Sequence, residues 1–404
     1  MDFILTLLLI LSFSFLLGKI FEKIRLPKIL APIFIGILFN IFSKNFNLNI
    51  NRDIFELLSN LTIILLLFYI GLSIDFKSLK KEKGETILVG VLGFVISFIL
   101  GFILTYFILK LSFLVSFIVS TTLSITAEGI MVILLEENRL IESKVGNVIL
   151  GAGIIDDIIG ILFLVIISFL TSLGNLTIFY LFSFIVLILI FLLFNFLSKK
   201  IETFLGDFFL DIEKKDLYDV FTFSIIFVLL LANFFNYIGF DFTIGAIFAG
   251  LILNLSLNKK GRKGRKEELL IDKFIKSITF GFLSYFFFFW IGYNIDVNFL
   301  FKDPFLGLLF ALVGFTGKVF ASFISGLLNN VNIKDSWLIG IGMSTKGAVE
   351  LIVAEIARKT HIISPEIFSA IVFMGIFLTI IPTILFNYNV RLFKKEKSQK
   401  SLIR

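Results

Sequence analysis

Two adjacent carboxylates, Asp156 and Asp157, lie in the middle of an apolar stretch, residues 148–165, that is long enough to span a bilayer. An acidic side chain at the centre of a membrane helix costs roughly 2.5 to 3.5 kcal/mol on insertion scales. Neighbouring side chains on a helix point about 100° apart, so the two cannot face one partner in the same direction. We therefore expect a cation, protons, a lysine or water to meet them inside a helix bundle.

Few other charged residues lie deep within apolar segments. They are Glu128, Lys318, Lys346 and Glu350. Because the whole set is nearly balanced in sign, its members are expected to pair with one another. The alternative is that they form structural ion pairs that only hold helices together, but adjacent aspartates are a costly means to that end.

Two deep stretches, residues 120–129 and 340–347, combine hydroxyl side chains, glycine and one charge. This composition favours an unwound segment that exposes carbonyl groups and helix ends within the membrane. A continuous helix with small residues for close packing is the alternative. The two stretches fall at corresponding places in the two halves of the chain, which favours two discontinuous helices that cross.

The composition indicates an all-α integral membrane protein. Hydrophobic residues make up 58% of the chain and charged residues 17%, which excludes a soluble globular protein. The absence of cysteine excludes disulfides and cysteine metal sites. The net charge of +7 comes from basic residues in short loops, so we expect contact with lipid and not with nucleic acid. No phosphate-binding loop is present, so neither ATP-driven pumping nor a cofactor is expected.

About thirteen segments are apolar and long enough to span. They are residues 2–20, 26–43, 54–74, 86–109, 112–135, 145–171, 177–198, 217–236, 239–257, 274–294, 304–328, 335–357 and 364–388. If the N-terminus lies outside, most lysines and arginines fall on the cytoplasmic side, with the densest cluster at Lys259–Lys266. The sequence thus predicts a multi-pass protein of the plasma membrane with its C-terminus in the cytoplasm.

An internal repeat relates the two halves of the chain. Residues 33–40 (IFIGILFN) resemble residues 247–254 (IFAGLILN), and residues 68–75 (FYIGLSID) resemble residues 289–296 (FWIGYNID). Because an odd number of segments separates the copies, they cross the membrane in opposite directions, as in the inverted repeats of secondary transporters. We expect a first repeat at 1–171, a linker helix and charged loop at 172–216, a second repeat at 217–390 and a basic cytoplasmic tail at 391–404. We expect no soluble regulatory domain.

These residues resemble the sodium/proton antiporter superfamily with the NhaA-type fold, especially its thirteen-helix NapA-like branch. The resemblance covers nearly the whole chain, and its most specific parts are the paired aspartates, the Thr126 break about thirty residues earlier and Lys318. It implies that Asp157 binds the cation, that Asp156 pairs with Lys318, and that Thr126 and the backbone around Lys346 complete the site. It also implies an elevator-like stroke and two protons per cation. We further expect a homodimer that forms through the scaffold helices, which are the segments outside the bundle that contains the aspartates.

The predicted activity is exchange of a monovalent cation, Na⁺ or Li⁺ first, for protons by alternating access. A potassium/proton antiporter of the same fold and, more remotely, an organic-anion symporter or a non-transporting scaffold remain as alternatives. Glu128 departs from the family, where a small or hydroxyl residue is expected. It is interpreted either as the partner of Lys346 or as an additional ligand beside Asp157, and Glu350 as a residue of ion pairing or coupling.

Overall fold

The computed structural model describes residues 3–24, 26–46, 50–73, 84–173, 217–237, 241–259, 261–302, 304–329 and 331–402. Within these ranges every regular element is a helix. The first seven are α1 (Phe3–Lys23), α2 (Leu30–Phe46), α3 (Arg52–Ser73), α4 (Gly84–Phe102), α5 (Phe113–Ser124), α6 (Glu128–Asn138) and α7 (Lys144–Leu173). The others are α8 (Leu217–Tyr237), α9 (Phe242–Lys259), α10 (Gly261–Ile278), α11 (Ser284–Tyr293), α12 (Val297–Lys302), α13 (Phe305–Leu328), α14 (Ile333–Met343), α15 (Val349–Lys359) and α16 (Pro365–Leu402).

The described helices confirm an integral membrane protein. Eight of them are long and apolar enough to cross a bilayer, counting α10 and α11 as one, and three shorter helices are also apolar. Two π-helical turns lengthen the apolar segments: residues 103–108 continue α4, and residues 279–283 join α10 to α11. The count of thirteen segments stays a prediction, since segment 177–198 lies outside the described residues.

The chain divides into two compact units, each assembled from several separate stretches. The first contains residues 1–6, 49–74 and 161–290, and the second contains residues 7–48, 75–160 and 291–404. The predicted repeats run consecutively along the chain, whereas each unit draws residues from both predicted repeats. The repeat boundaries therefore stay a prediction.

The first unit is built on the packing of α3 against α9. A side chain at Gly71 would collide with the carbonyl group of Ile247, so glycine is what lets the two backbones touch. The Asn254 side-chain amide donates a hydrogen bond to the carbonyl of Leu72 near the end of α3. Phe55 of α3 stacks on Trp290 with ring centroids 6.2 Å apart, which adds an aromatic core.

The second unit contains the same pair of contacts at the equivalent positions of the sequence repeat. Gly292 lies against the carbonyl of Ile33, and the Asn40 amide donates to the carbonyl of Tyr293 at 2.5 Å. In both units, therefore, the asparagine that ends the first motif, Asn254 or Asn40, donates a hydrogen bond to a backbone carbonyl. That carbonyl lies near the end of the helix that contains the second motif. The same residue types at the same positions of the two motifs thus make the same contacts in both units, and the repeat itself stays a prediction.

Within the second unit, α13 packs against α4, α5, α14 and α16. An apolar core joins α6, α7, α14 and α16 through buried side chains such as Met131, Leu135, Ile149, Ile341 and Phe386. Burial of this apolar surface contributes about 25 cal/mol per Å² removed from water where the reference state is aqueous, but inside a bilayer close packing provides most of the gain. The core fixes the helices that contain the deep charged residues.

Candidate cation-binding site

The paired aspartates lie on α7, at the part of the helix that belongs to the second unit. Asp156 is fully buried, whereas Asp157 is half-buried. Helix α7 approaches α4 closely, since a Cβ atom at Gly90 would lie 2.9 Å from the carbonyl of Ala152. A Cβ at Gly160 would lie 3.2 Å from the Ile125 side chain, so α7 also runs beside the break after α5. The sequence expectation that aspartates and break lie together agrees with this packing.

Lys318 reaches Asp156 from the middle of α13. Its amine donates to Asp156 Oδ1 at 2.5 Å, and both side chains are fully buried. The lysine stem runs along α4 at Gly93, where a Cβ would lie 3.6 Å from Lys318 Cδ. Among the described residues, none donates a hydrogen bond to the other carboxylate oxygen, Asp156 Oδ2. The amine thus compensates one buried negative charge and leaves an oxygen facing the protein interior, while its electrostatic field also extends to Asp157.

The predicted break in segment 112–135 is confirmed. Helix α5 begins at the N-cap Ser112, whose side chain accepts a hydrogen bond from the amide of Val115, and ends at Ser124. Ile125 is extended, with φ −66° and ψ 143°, and α6 starts at Glu128. Hydroxyl groups within α5 bond back to carbonyls of the preceding turn, as Ser120 does to Ser116 and Ser124 to Ser120. Such bonds compete with the regular ladder and favour the interruption.

The second predicted break separates α14 from α15, and the two interrupted segments cross through their backbones. The Ala127 amide donates to the Thr345 carbonyl at 2.9 Å, and the Thr126 hydroxyl donates to the Met343 carbonyl at 2.8 Å. Each unwound segment therefore satisfies polar groups that the other exposes. Such pairing is required at membrane depth, where no bulk water replaces a missing hydrogen bond.

Lys346 lies within the second break and is fully buried. Its amine donates to the carbonyl of Leu123 at 2.7 Å and to the carbonyl of Ile125. These carbonyls end α5, where the helix dipole places partial negative charge. The Thr379 hydroxyl of α16 donates to the Lys346 carbonyl at 2.8 Å and so fixes the lysine backbone. Sequence reasoning offered Glu128 as one possible partner of Lys346, which stays a prediction. It did not identify these acceptors, because residue types do not indicate which carbonyls a break exposes.

The structure places the two deep glutamates in the first turns of the two second half-helices. Glu128 begins α6, and its side chain lies outside the described part of the chain, so its partner stays a prediction. Glu350 lies in the first turn of α15 and is 1% exposed. Lys346 interacts electrostatically with Glu350, Lys318 and Asp156, so these four groups share one electrostatic environment.

The second glutamate of the half-helix α15, Glu355, was not assigned a role from sequence. Glu355 is fully buried and accepts two hydrogen bonds from the Arg358 guanidinium, at 2.7 and 2.8 Å. The i,i+3 spacing of the two residues could have predicted this pair. Because both residues lie at the far end of α15, the pair is separate from the aspartates.

The arrangement provides oxygen atoms for a hard monovalent cation, which prefers such ligands. In the described ranges, no group of three or more Asp, Glu or His side chains is arranged to hold a metal ion. A cation at the aspartates would therefore complete its shell with hydroxyl groups, backbone carbonyls and water. The crossing of α5–α6 with α14–α15 brings groups of the first two kinds into the same unit.

The comparisons with known proteins agree with this geometry. A model of the family described as "Sodium/hydrogen exchanger, transmembrane" matches residues 8–387. The Na(+)/H(+) antiporter of Enterococcus hirae is 25% identical over 393 residues, which cover 96% of this chain and 98% of that protein. The K(+)/H(+) antiporter 1 of Saccharomyces cerevisiae is 25% identical over 388 residues, which cover 90% of this chain and 43% of that protein. The chain thus spans less than half of the yeast protein.

Among solved structures, the sodium proton antiporter MjNhaP1 from Methanocaldococcus jannaschii superposes with a TM-score of 0.65 at 20% identity. The match covers 95% of both chains and shows a common fold. The family model accounts for almost all of the described helices, including both breaks and the residues between them. The chain belongs to the transmembrane sodium/hydrogen exchanger family, whose members are secondary transporters and not enzymes.

Proposed function

We propose that this protein exchanges a monovalent cation, Na⁺ or Li⁺ first, for protons across the membrane at Asp156 and Asp157. The observation that carries the proposal is the unequal environment of the two aspartates. Asp156 is fully buried and bound by Lys318, whereas Asp157, one position along the same helix, is half-buried. The more accessible carboxylate is the better placed to receive an ion from solution.

Exchange then follows from competition for one carboxylate. A cation needs the ionised form of Asp157, and a proton converts that form to the neutral acid, so the two loads exclude each other. Asp156 and Lys318 hold a fixed pair of opposite charges beside it. Thr126 and the carbonyls of the crossing are proposed to supply further oxygen ligands. Alternating access, in which the loaded site opens to each side in turn, converts this competition into antiport.

Potassium is the second candidate cation. The yeast relative, which aligns over 90% of this chain, is named a K(+)/H(+) antiporter. The Enterococcus hirae relative, which aligns over 96% of this chain and 98% of its own length, is named a Na(+)/H(+) antiporter. Its name is the reason to place sodium before potassium in the proposal. We further propose a homodimer through the helices that do not hold the aspartates, and a plasma-membrane location with the N-terminus outside.

The test is proton flux in proteoliposomes that contain a pH-sensitive dye. Pulses of sodium, lithium and potassium chloride are applied in turn to vesicles with an imposed pH gradient, and choline chloride serves as the control. We expect dequenching with sodium and lithium and none with choline. A response to potassium alone would make potassium the transported cation, and no response to any of the three would contradict the proposed exchange.

A further inference from the structure

Glu350 is a buried carboxylate that the aspartate site does not use. It lies in the first turn of α15, directly after the break, and it is 1% exposed. Among the described residues, no side chain donates a hydrogen bond to either carboxylate oxygen, and the polar groups beside it are the amides of Gly347 and of Glu350 itself. Asp156, by comparison, leaves only Oδ2 without a side-chain donor. A carboxylate buried without a salt bridge requires an explanation.

Within the described ranges, the helices that pack against α15 bring no cation to Glu350. Helix α15 packs chiefly against α5 and α16. No residue of α5 is charged, and the charged residues of α16 are Glu366, in its first turn, and residues from Arg391 onward. Gly375 marks the part of α16 that faces Glu350, because a Cβ placed there would lie 3.9 Å from Glu350 Oε1. On α15 itself, Arg358 and Lys359 are both within 4 Å of Glu355.

Lys346 is the cation that interacts with Glu350, together with the amides of Gly347 and of Glu350 itself. Its amine, however, donates to the carbonyls of Leu123 and Ile125 and not to the glutamate. Burial destabilises the ionised carboxylate, whereas Lys346 and the two amides stabilise it. A group under such opposed influences changes its protonation when a neighbouring charge moves by a few ångströms.

We propose that Glu350 is a proton-binding group of the transport cycle, in addition to the aspartates. In this arrangement, with Lys346 bound to the end of α5, Glu350 holds a proton as the neutral acid. When the Lys346 ammonium group, which keeps its own protons throughout, turns from the α5 carbonyls to the glutamate, the carboxylic O–H bond breaks, the proton passes to water, and the ammonium and carboxylate form an ion pair. The reverse movement takes a proton from water.

The consequence for transport rests on the proposed exchange. Movement at the crossing of the two broken helices alters the contacts of Lys346, so it also changes the protonation of Glu350. A conformational change that opens the site to one side is then accompanied by uptake or release of one proton beyond those at the aspartates. Glu350 would thereby set how many protons accompany each cation.

Infrared difference spectroscopy of the purified protein tests the protonation directly and needs no transport. Spectra recorded between acid and alkaline pH should contain a carbonyl band of a buried carboxylic acid that is absent in Glu350→Gln and shifted in Glu350→Asp. The matched control, Glu355→Gln on the same helix, should retain the band. Identical bands in wild type and Glu350→Gln would overturn the proposal. If Glu350→Gln does not fold, an unshifted band in Glu350→Asp would overturn it equally.

A second measurement asks whether this proton belongs to the cycle. The pH gradient that just balances a fixed cation gradient gives the number of protons per cation in proteoliposomes. We expect one proton fewer per cation in Glu350→Gln than in wild type and an unchanged number in Glu355→Gln. An unchanged number in Glu350→Gln would contradict the role in transport. If wild type exchanged no cation while the Glu350 band persisted, the exchange proposal would fail and the protonation of Glu350 would stand.

Discussion

Two fully buried lysines of the second unit are stabilised in different ways, and the difference follows from the element that each lysine faces. Lys318 projects from the continuous helix α13 and donates to a side-chain carboxylate, Asp156 of α7. Lys346 lies between α14 and α15 and donates to backbone carbonyls of Leu123 and Ile125 at the end of α5. The interior of a continuous helix such as α7 uses its carbonyls in its own hydrogen bonds, so a lysine that faces it needs an acidic side chain. The end of the interrupted helix α5 leaves carbonyls available, and these can accept hydrogen bonds from a lysine of another segment.

The comparison also explains the unequal state of the neighbouring acids. Asp156 is matched by a lysine at 2.5 Å. Glu350, four residues after Lys346, has no such ion pair among the described residues, because the Lys346 amine donates to a carbonyl at the end of α5 instead. The Asp156–Lys318 pair is therefore fixed. A Glu350–Lys346 pair can form only when the crossing of the two broken helices rearranges.

The largest effect is expected when the fixed pair is broken. Lys318→Gln leaves Asp156 buried without a cation, at a cost of about 3 to 5 kcal/mol in stability. In an Asp156→Asn background the same substitution should cost much less, because no uncompensated charge remains. Thermal unfolding of the four proteins in detergent measures this double-mutant cycle. Additive effects would mean that the two side chains do not interact.

Removal of the other lysine should have an effect of comparable size but of a different kind. Lys346→Met leaves two carbonyls at the end of α5 without their donor, and hydrogen bonds to charged groups contribute about 1.5 to 3 kcal/mol each. The loss should depend only weakly on the Asp156→Asn background, since Lys346 acts on that aspartate through its charge and donates its hydrogen bonds to the α5 carbonyls. A strong dependence on Asp156 in the same unfolding assay would contradict the separation of the two lysines.

Glu128→Gln distinguishes the two interpretations of Glu128. If Glu128 pairs with Lys346, the substitution should lower stability by about 1 to 3 kcal/mol. The double variant with Lys346→Met should then lose less stability than the sum of the two single losses. If Glu128 is a ligand beside Asp157, the Na⁺-to-Li⁺ preference or the pH profile of exchange should change while stability hardly moves. A variant unchanged in stability, preference and pH profile would contradict both.

The smallest effect should come from the hydroxyl at the crossing. Thr126→Val removes the hydrogen bond to the Met343 carbonyl and should lower stability by about 1 kcal/mol. Thr126→Ser keeps the donor and should remain near wild type, so it is the matched control. A loss of melting temperature in Thr126→Ser with none in Thr126→Val would assign the role of Thr126 to its methyl group and contradict the role of the hydroxyl.

Both helix breaks could be predicted from the sequence. Residues 120–129 and 340–347 contain hydroxyls, glycine and a charge at a depth where a plain span would be apolar, and the structure interrupts both segments at these places. By contrast, the two π-helical turns at 103–108 and 279–283 carry no comparable signal, since their residues would suit an α-helix equally well.

The charged residues show the same limit. Charge balance within the membrane indicated that Lys318 would meet an acid, because a lone buried lysine is too costly there. The same reasoning offered Glu128 as a partner of Lys346, which stays a prediction, and gave no sign of the carbonyls to which the Lys346 amine donates. Backbone acceptors exist at every residue, and only the three-dimensional crossing decides which of them are free. The Glu350 side chain is left without that lysine for the same reason.

The central claim is that Asp157 binds the transported cation. Cation/proton exchange measured with the Asp157→Asn variant tests it most directly, because the asparagine amide can neither balance the charge of a cation nor bind and release a proton. The variant should elute and unfold like wild type, yet sodium, lithium and potassium pulses should release no protons from dye-loaded proteoliposomes. Asp219→Asn, an exposed acid of α8, is the matched control and should exchange like wild type. Proton flux near the wild-type rate in Asp157→Asn would contradict the assignment of the cation site.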